Sequence, residues 1–193
     1  MSKSYSKTRV LVECALMVAI GTVLANIKIF TMPNGGSVTL LSMLPFVLVS
    51  FRHGVKWGLF TGLVNGCLQM LLGFWAPPTP TFIYFLGEIL LDYLVAFTPL
   101  GLAGLFKGKK WGIFVGTVAG CLGRFVVHYI SGVTIYKILA PTEFMKWTFT
   151  SPSAYSLVYN GSYMLPNTII ALVIAAVLYK PLKKYILGQD LGN

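Results

Sequence analysis

Charge is scarce in this chain, and acidic charge scarcest of all. Only 10 % of its 193 residues are charged, five Asp and Glu against fifteen Lys and Arg, whereas soluble domains carry about 25 %. With 56 % hydrophobic residues, this excludes an ordinary soluble domain and puts the membrane class first. Cysteine is equally sparse. Cys14, Cys67 and Cys121 each stand alone in an apolar run, with no CxxC pair and no His at metal-ligand spacing, so neither a disulfide framework nor a zinc site is indicated. The patterns GxxxxGK[ST], HExxH and GxSxG are missing, which removes P-loop nucleotide binding and the familiar hydrolytic sites. Ser131, three residues beyond His128, is the one hydroxyl beside a possible base. The net charge of +10 does not gather into a polar basic stripe. Lys and Arg bracket apolar runs instead, a pattern of membrane topology and not of nucleic-acid binding.

What is present is a series of apolar runs. The basic amino end MSKSYSKTR resembles the start of a signal peptide, but the following run Val10–Ile27 shows no small-residue cleavage pattern, so an uncleaved first helix is expected. Glu13, in its first turn, reads as an interfacial anchor. Ile29–Thr39 reads as a loop around Pro33-Asn34-Gly35-Gly36, because Asn and Gly tolerate positive φ. Leu40–Phe51 has only twelve residues, which suits a short shielded helix or a re-entrant segment; a short span agrees with the charge pattern. Val55–Phe74 is the third span, with Asn65 and Gln69 on one face for hydrogen bonds to another helix. Three prolines in the Trp75–Thr81 segment forbid helix there. Phe82–Phe106, 25 residues and ~37 Å long as a helix, can cross a ~30 Å hydrocarbon core with tilt. Trp111–Ile138 is the fifth span, Pro141–Ser153 a loop, and Tyr155–Tyr179 the sixth span.

Basic residues set the orientation. Lys3, Lys7 and Arg9 precede span one; Arg52 and Lys56 separate spans two and three; Lys107, Lys109 and Lys110 follow span four; Lys180, Lys183 and Lys184 close the chain. Lys28, Lys137 and Lys146 fall on the opposite side, with Arg124 inside the membrane. The asymmetry predicts an all-α integral membrane protein, one domain over 1–193, with six transmembrane helices and both termini cytoplasmic.

Four ionisable side chains remain at membrane depth: Glu88 and Asp92, four apart on span four, and Arg124 and His128, four apart on span five. Charges at that depth face a bundle interior or a cavity, since lipid does not solvate them. Pairing Arg124 with one carboxylate would lock two helices and leave a surplus acid, which a cationic ligand would balance. Tyr93, Tyr155, Tyr159 and Asn160 adjoin these charges. Aromatic faces and an amide around a buried carboxylate suit a flat, positively charged heteroaromatic molecule; a vitamin, a nucleobase and an amine drug all remain open. Proton coupling through Asp92 and His128 is a second possibility, and an assembly subunit whose charges only pair helices a third.

The segments MPNGGSVTLLSMLP (32–45), SFRHGVKWGLFTGLVNG (50–66), LLDYLVAF (90–97), HYISG (128–132) and YSLVYNGSYMLPN (155–167) together resemble the thiamine-specific S component of energy-coupling factor vitamin transporters. The resemblance runs from about Arg9 to Tyr179. It implies a six-helix membrane protein, not itself an enzyme, that binds thiamine from outside and works with a transmembrane coupling subunit and two ATPase subunits in a prokaryotic cell membrane. On the same resemblance Asp92 faces the charged vitamin with Tyr93 beside it; Glu88, one turn away, joins the candidate site by its membrane depth alone. His128 and Gly132 line the ligand, Tyr136 replaces a Trp of some members, and Tyr155 and Asn160 meet the aminopyrimidine end. Ala15 and Ala19 match the patch that docks on the coupling subunit. The first loop has Gly35-Gly36-Ser37 where some relatives place a Trp above the ligand, leaving Trp75 and Trp147 as alternatives for that contact. No cofactor is implied.

Overall fold

The shortest apolar run lies at the centre of the molecule. The computed structural model describes residues 7–79, 81–136 and 142–192; Lys3, Lys137, Ile138 and Pro141, which enter the expectations above, lie outside the described residues. Helix α2 (Leu44–His53) has ten residues and is ~15 Å long, about half of a hydrocarbon core. Phe46 and Val47 are fully buried. Around α2 stand α1 (Lys7–Asn26), α3 (Val55–Leu72), α4 (Phe82–Phe106), α5 (Gly112–Thr134) and α6 (Pro152–Ile186). A helix this short is tolerated at membrane depth because protein, not lipid, covers its ends.

Six helices are thus present among the described residues, and four of them, α1, α4, α5 and α6, are long and apolar enough to cross a bilayer. Their outward faces carry Leu16 and Val23 on α1, Phe82 on α4, Leu122 on α5 and Val177 on α6, all exposed. Apolar side chains in that quantity on the outside are a surface for lipid, not for water. The chain is a membrane protein.

Two expected loops are instead small hairpins. In the first, β1 (Lys28–Thr31) pairs antiparallel with β2 (Ser37–Thr39), Phe30 opposite Val38. Asn34 (φ 60°) and Gly35 (φ 85°) turn the chain between them, as expected of Asn-Gly. In the second, β3 (Thr142–Phe144) pairs with β4 (Trp147–Phe149) across Met145 and Lys146, both at positive φ. That is the backbone of a two-residue hairpin turn, formed without the Asn or Gly that would announce it.

Small residues bring α3 and α4 together. A Cβ on Gly58 would lie 2.8 Å from the Gly101 Cα, and Cβ atoms on Gly62 and Gly66 would strike the backbone carbonyls of Phe97 and Tyr93. Glycine at every fourth position is therefore required for this approach. Helix α4 departs from regular geometry opposite this stripe: Ile89–Leu94 forms a π turn, and from Thr98 the helix tightens to 3-10 geometry around Pro99, which has no N–H to donate. The wide turn carries Asp92.

At the end of the bundle away from the hairpins, Arg52 is almost wholly buried. It bonds both oxygens of Glu13 and both of Asp190, at 2.6 and 3.0 Å, donates to the Tyr185 carbonyl at 2.7 Å and lies 3.7 Å over the Tyr185 ring. His53 reaches the same Glu13 at 2.8 Å. Glu13 is thus not an interfacial anchor but a strut joining α1 to α2, and the chain's two ends meet on one side of the bundle through Arg9 and Asp190, 3.4 Å apart. The Arg52 guanidinium holds the Asp190 carboxyl below the usual carboxylate range, while burial, and then Arg52, push the Lys107 ammonium down.

Candidate ligand-binding site

A cavity of about 300 Å³ opens between the first hairpin and helices α3 to α6. All eight residues expected to hold the ligand line it: Glu88, Asp92, Tyr93, His128, Gly132, Tyr136, Tyr155 and Asn160. Ala15 and Ala19 do not. They are exposed on the outer face of α1, among exposed Leu11, Leu16 and Ile20.

Asp92 is held by two donors from α5. His128 Nδ1 lies 2.6 Å from its Oδ1, and the Ser131 hydroxyl donates to Oδ2. Ser131 is thereby spent on positioning a carboxylate. Arg124 makes no ion pair with either carboxylate among the described residues; it reaches His128 Nε2 at 3.3 Å and lies 4.0 Å from the Phe97 ring centroid. The helix-locking pair considered from sequence is not formed. Glu88, 1 % exposed, accepts a 2.8 Å bond from the Tyr136 hydroxyl on Oε1.

Helix α6 supplies the opposite wall through a four-residue ladder. Tyr155, Tyr159, Tyr163 and Asn167 recur at i, i+4, i+8 and i+12, so their side chains stack along one face. The rings of Tyr155 and Tyr159 are parallel within 7° at 5.5 Å. Phe144 of the second hairpin packs against both. The ladder also fastens the first hairpin over the cavity. Asn167 accepts from the Thr39 N–H and donates to the Ser37 carbonyl, both at 2.9 Å, imitating a neighbouring strand. Tyr159 accepts from the Gly36 N–H at 2.9 Å and donates to the Pro33 carbonyl, and Asn34 donates to the Tyr155 hydroxyl at 3.2 Å.

Asn160 and Gly132 line the cavity but are also structural. The Asn160 amide donates to Ser156 O at 3.0 Å and accepts from the Tyr163 hydroxyl at 2.6 Å. A Cβ on Gly132 would strike the Ser156 side chain, so this glycine sets the distance between α5 and α6. The tryptophan beside the first hairpin is Trp75, 3.5 Å from where a Gly35 Cβ would stand. Its backbone N–H donates to the Tyr93 hydroxyl at 2.7 Å. Trp147 is 67 % exposed and does not line the cavity. Sequence reasoning missed Gln69 as a lining residue, and Asn167 and Gly36 as fasteners of the hairpin. The four-residue spacing on α6 was the available signal for Asn167.

The arrangement can hold a flat cation: a fixed carboxylate for the charge, parallel aromatic rings for the faces, and a hairpin to cover them. Comparison with known proteins agrees in kind. Residues 11–187 match the family model described as thiamine transporter protein. The chain is similar to the thiamine transporter ThiT of Bacillus subtilis (36 % identity, 88 % of this chain and 89 % of that one). It is also similar to the protein of the same name from Lacticaseibacillus paracasei (27 % identity, 94 % of this chain and 92 % of the relative). Its fold matches the solved structure of ThiT from Listeria monocytogenes with a TM-score of 0.77 at 23 % identity, over 93 % of this chain and 98 % of that one. On the family match and the Bacillus similarity, the chain belongs to the thiamine transporter protein family.

Proposed function

We propose that this protein captures thiamine from the outer face of the cell membrane with high affinity, as the substrate-binding subunit of an energy-coupling factor transporter. The whole chain forms one membrane-embedded domain that crosses six times, α2 by the shielded route described, with both termini cytoplasmic. The observation that carries the reading is Asp92: a carboxylate fixed by His128 and Ser131, unpaired with Arg124, facing a cavity walled by the Tyr155–Tyr159 stack. A thiazolium ring is a flat cation, and low local dielectric strengthens its attraction to Asp92. The aminopyrimidine end would lie toward Tyr155 and Asn160, with Tyr93, His128 and Tyr136 around the thiazolium ring and Gly132 keeping the wall low. The basic end around Arg52 and Lys107 faces the cytoplasm by the positive-inside rule.

The sequence contains no P-loop, so energy has to come from elsewhere; a transmembrane coupling subunit contacted through Ala15 and Ala19, and two ATPase subunits, fill that role. Titration calorimetry of the detergent-purified chain against thiamine, riboflavin and biotin tests the reading. Saturable binding of thiamine alone is expected. Absence of thiamine binding, or equal binding of all three, overturns it.

A further inference from the structure

The end of the bundle away from the hairpins carries positive charge that the chain has no acid to neutralise. Of the five acidic residues, Glu88 and Asp92 line the cavity and Glu143 belongs to the second hairpin. Glu13 and Asp190 are held by Arg9, Arg52 and His53. Nothing acidic is left for Lys109, Lys110, Lys180, Lys183 and Lys184, which are exposed and form no ion pair among the described residues. These lysines come from two stretches of sequence and meet in the fold. Lys109 and Lys110 lie in the turn before α5, and the other three close α6. Phe114, in the first turn of α5, packs against Tyr179 of α6 with ring centroids 6.4 Å apart. Lys110 stands four residues before Phe114, and Lys183 stands four after Tyr179 on the same face of α6, so each lies about one helical turn beyond that contact.

Trp111 marks the same place. It is 66 % exposed, its ring packs on Phe114 at 5.8 Å, and its backbone is left-handed (φ 63°), a conformation that bulky residues seldom adopt. An exposed indole at the end of a membrane helix sits at headgroup depth. Deeper along the outward faces, Val115 and Val118 of α5 and Val173 and Val177 of α6 are exposed. Uncompensated cations at headgroup depth, an interfacial indole and an apolar wall beneath them fit one partner: a phospholipid with an anionic headgroup, its phosphate among the lysines and its chains along the valines. A soluble anion would make no use of that wall. We infer that the turn 109–111 and the α6 end 180–184 form a binding site for an anionic phospholipid. The coupling face proposed above is on α1, which packs on α2 and α3, so the two surfaces belong to different helices. The inference needs neither the thiamine reading nor a particular orientation of the chain, only its place in a membrane.

The test titrates the detergent-purified full chain with phosphatidylglycerol and with phosphatidylcholine of identical chains, counting bound lipids by native mass spectrometry. The wild type is expected to bind phosphatidylglycerol at least about tenfold more tightly. Lys110→Gln combined with Lys183→Gln should remove most of that preference, about fivefold per lysine, with the melting temperature unchanged. The single substitutions serve if the double variant does not fold. Lys7→Gln combined with Lys56→Gln lowers the net charge equally on α1 and α3 and should leave the preference within about twofold. Raising the ionic strength tenfold should weaken the preference of the wild type. No preference in the wild type, or equal losses in the two double variants, overturns the site. Competition by glycerophosphoglycerol, the headgroup without chains, at the same concentration would assign the lysines to a soluble anion and overturn it too. Loss of uptake by cells carrying the Lys110 and Lys183 substitutions, without any lipid preference in the purified chain, would assign the patch to an acidic protein surface instead.

Discussion

His128 Nδ1 lies 2.6 Å from Asp92 Oδ1 while His128 Nε2 faces the Arg124 guanidinium at 3.3 Å. A guanidinium can only donate, so Nε2 holds the lone pair and the ring proton sits on Nδ1, directed at Asp92. The imidazole therefore relays orientation from Arg124 to the carboxylate without cancelling its charge.

Asp92→Asn preserves shape and removes that charge. It also turns an amide N–H₂ toward His128 or Ser131, both of which donate. Removing one side of a buried charge contact costs about 2–5 kcal/mol, so thiamine affinity should fall at least about thirtyfold. A neutral isostere with a pyridine-type ring in place of the thiazolium should lose far less. Equal losses for the two ligands in calorimetry would remove the electrostatic role of Asp92.

Gly36 controls how closely the first hairpin sits. An added Cβ would stand 2.7 Å from the Tyr159 hydroxyl and 2.9 Å from the Tyr163 ring, so Gly36→Ala must lift the hairpin and stretch the Gly36 N–H to Tyr159 bond. Losing one such bond is worth about 1 kcal/mol. Thiamine should then dissociate about fivefold faster, read by stopped-flow tryptophan fluorescence. An unchanged dissociation rate would mean that the hairpin does not retain the ligand.

Much of this was legible in the sequence, for definite reasons. Because length and hydropathy are local properties, apolar runs bounded by Lys clusters and Pro-rich breaks gave the long helices within a few residues, except that α6 runs through its Lys cluster to Ile186 instead of ending at Tyr179. Glu88, Asp92 and His128 announced a cavity because charge at that depth has few other uses. The π turn under Asp92 was not legible; it depends on how α4 packs, and no residue type marks it. Glu13 was misread because its partners Arg52 and His53 are 39 and 40 positions away, and only the fold brings them together. The second hairpin was missed because Met145-Lys146 is not a turn pair by composition. The Gly58-Gly62-Gly66 spacing was readable as a helix-packing stripe and was passed over in favour of Asn65 and Gln69.

Ala15 and Ala19 form the low part of an α1 face that is exposed among the described residues. A partner helix could approach closely there, as small residues permit in a membrane. Ala15→Trp or Ala19→Trp should abolish thiamine uptake by cells while the purified variant binds thiamine within about twofold of wild type, since neither residue lines the cavity. Unchanged uptake would refute docking at this face. A parallel loss of binding would show that the substitution had disturbed the bundle instead.

Asp190 gives the opposite end of the molecule a pH signature. Arg52 grips both of its oxygens and holds its folded pKa below the ordinary value of 3.8. A carboxyl with a depressed folded pKa contributes stability that is fully present above the unfolded pKa and is lost as pH falls through the folded one. The difference in melting temperature between wild type and Asp190→Asn should therefore be constant from neutral pH down to about 4, the unfolded carboxyl range, and shrink below it. Partial exposure of the carboxylate keeps the effect small. Arg52→Ala should cost more, on the order of 3 kcal/mol, because it removes the buried cation that Glu13 and Asp190 share. Thermal unfolding of the detergent-solubilised chain followed by intrinsic fluorescence between pH 3 and 7 measures both. A difference for Asp190→Asn that persists undiminished at pH 3 would show that the contact with Arg52 contributes through packing and not through charge.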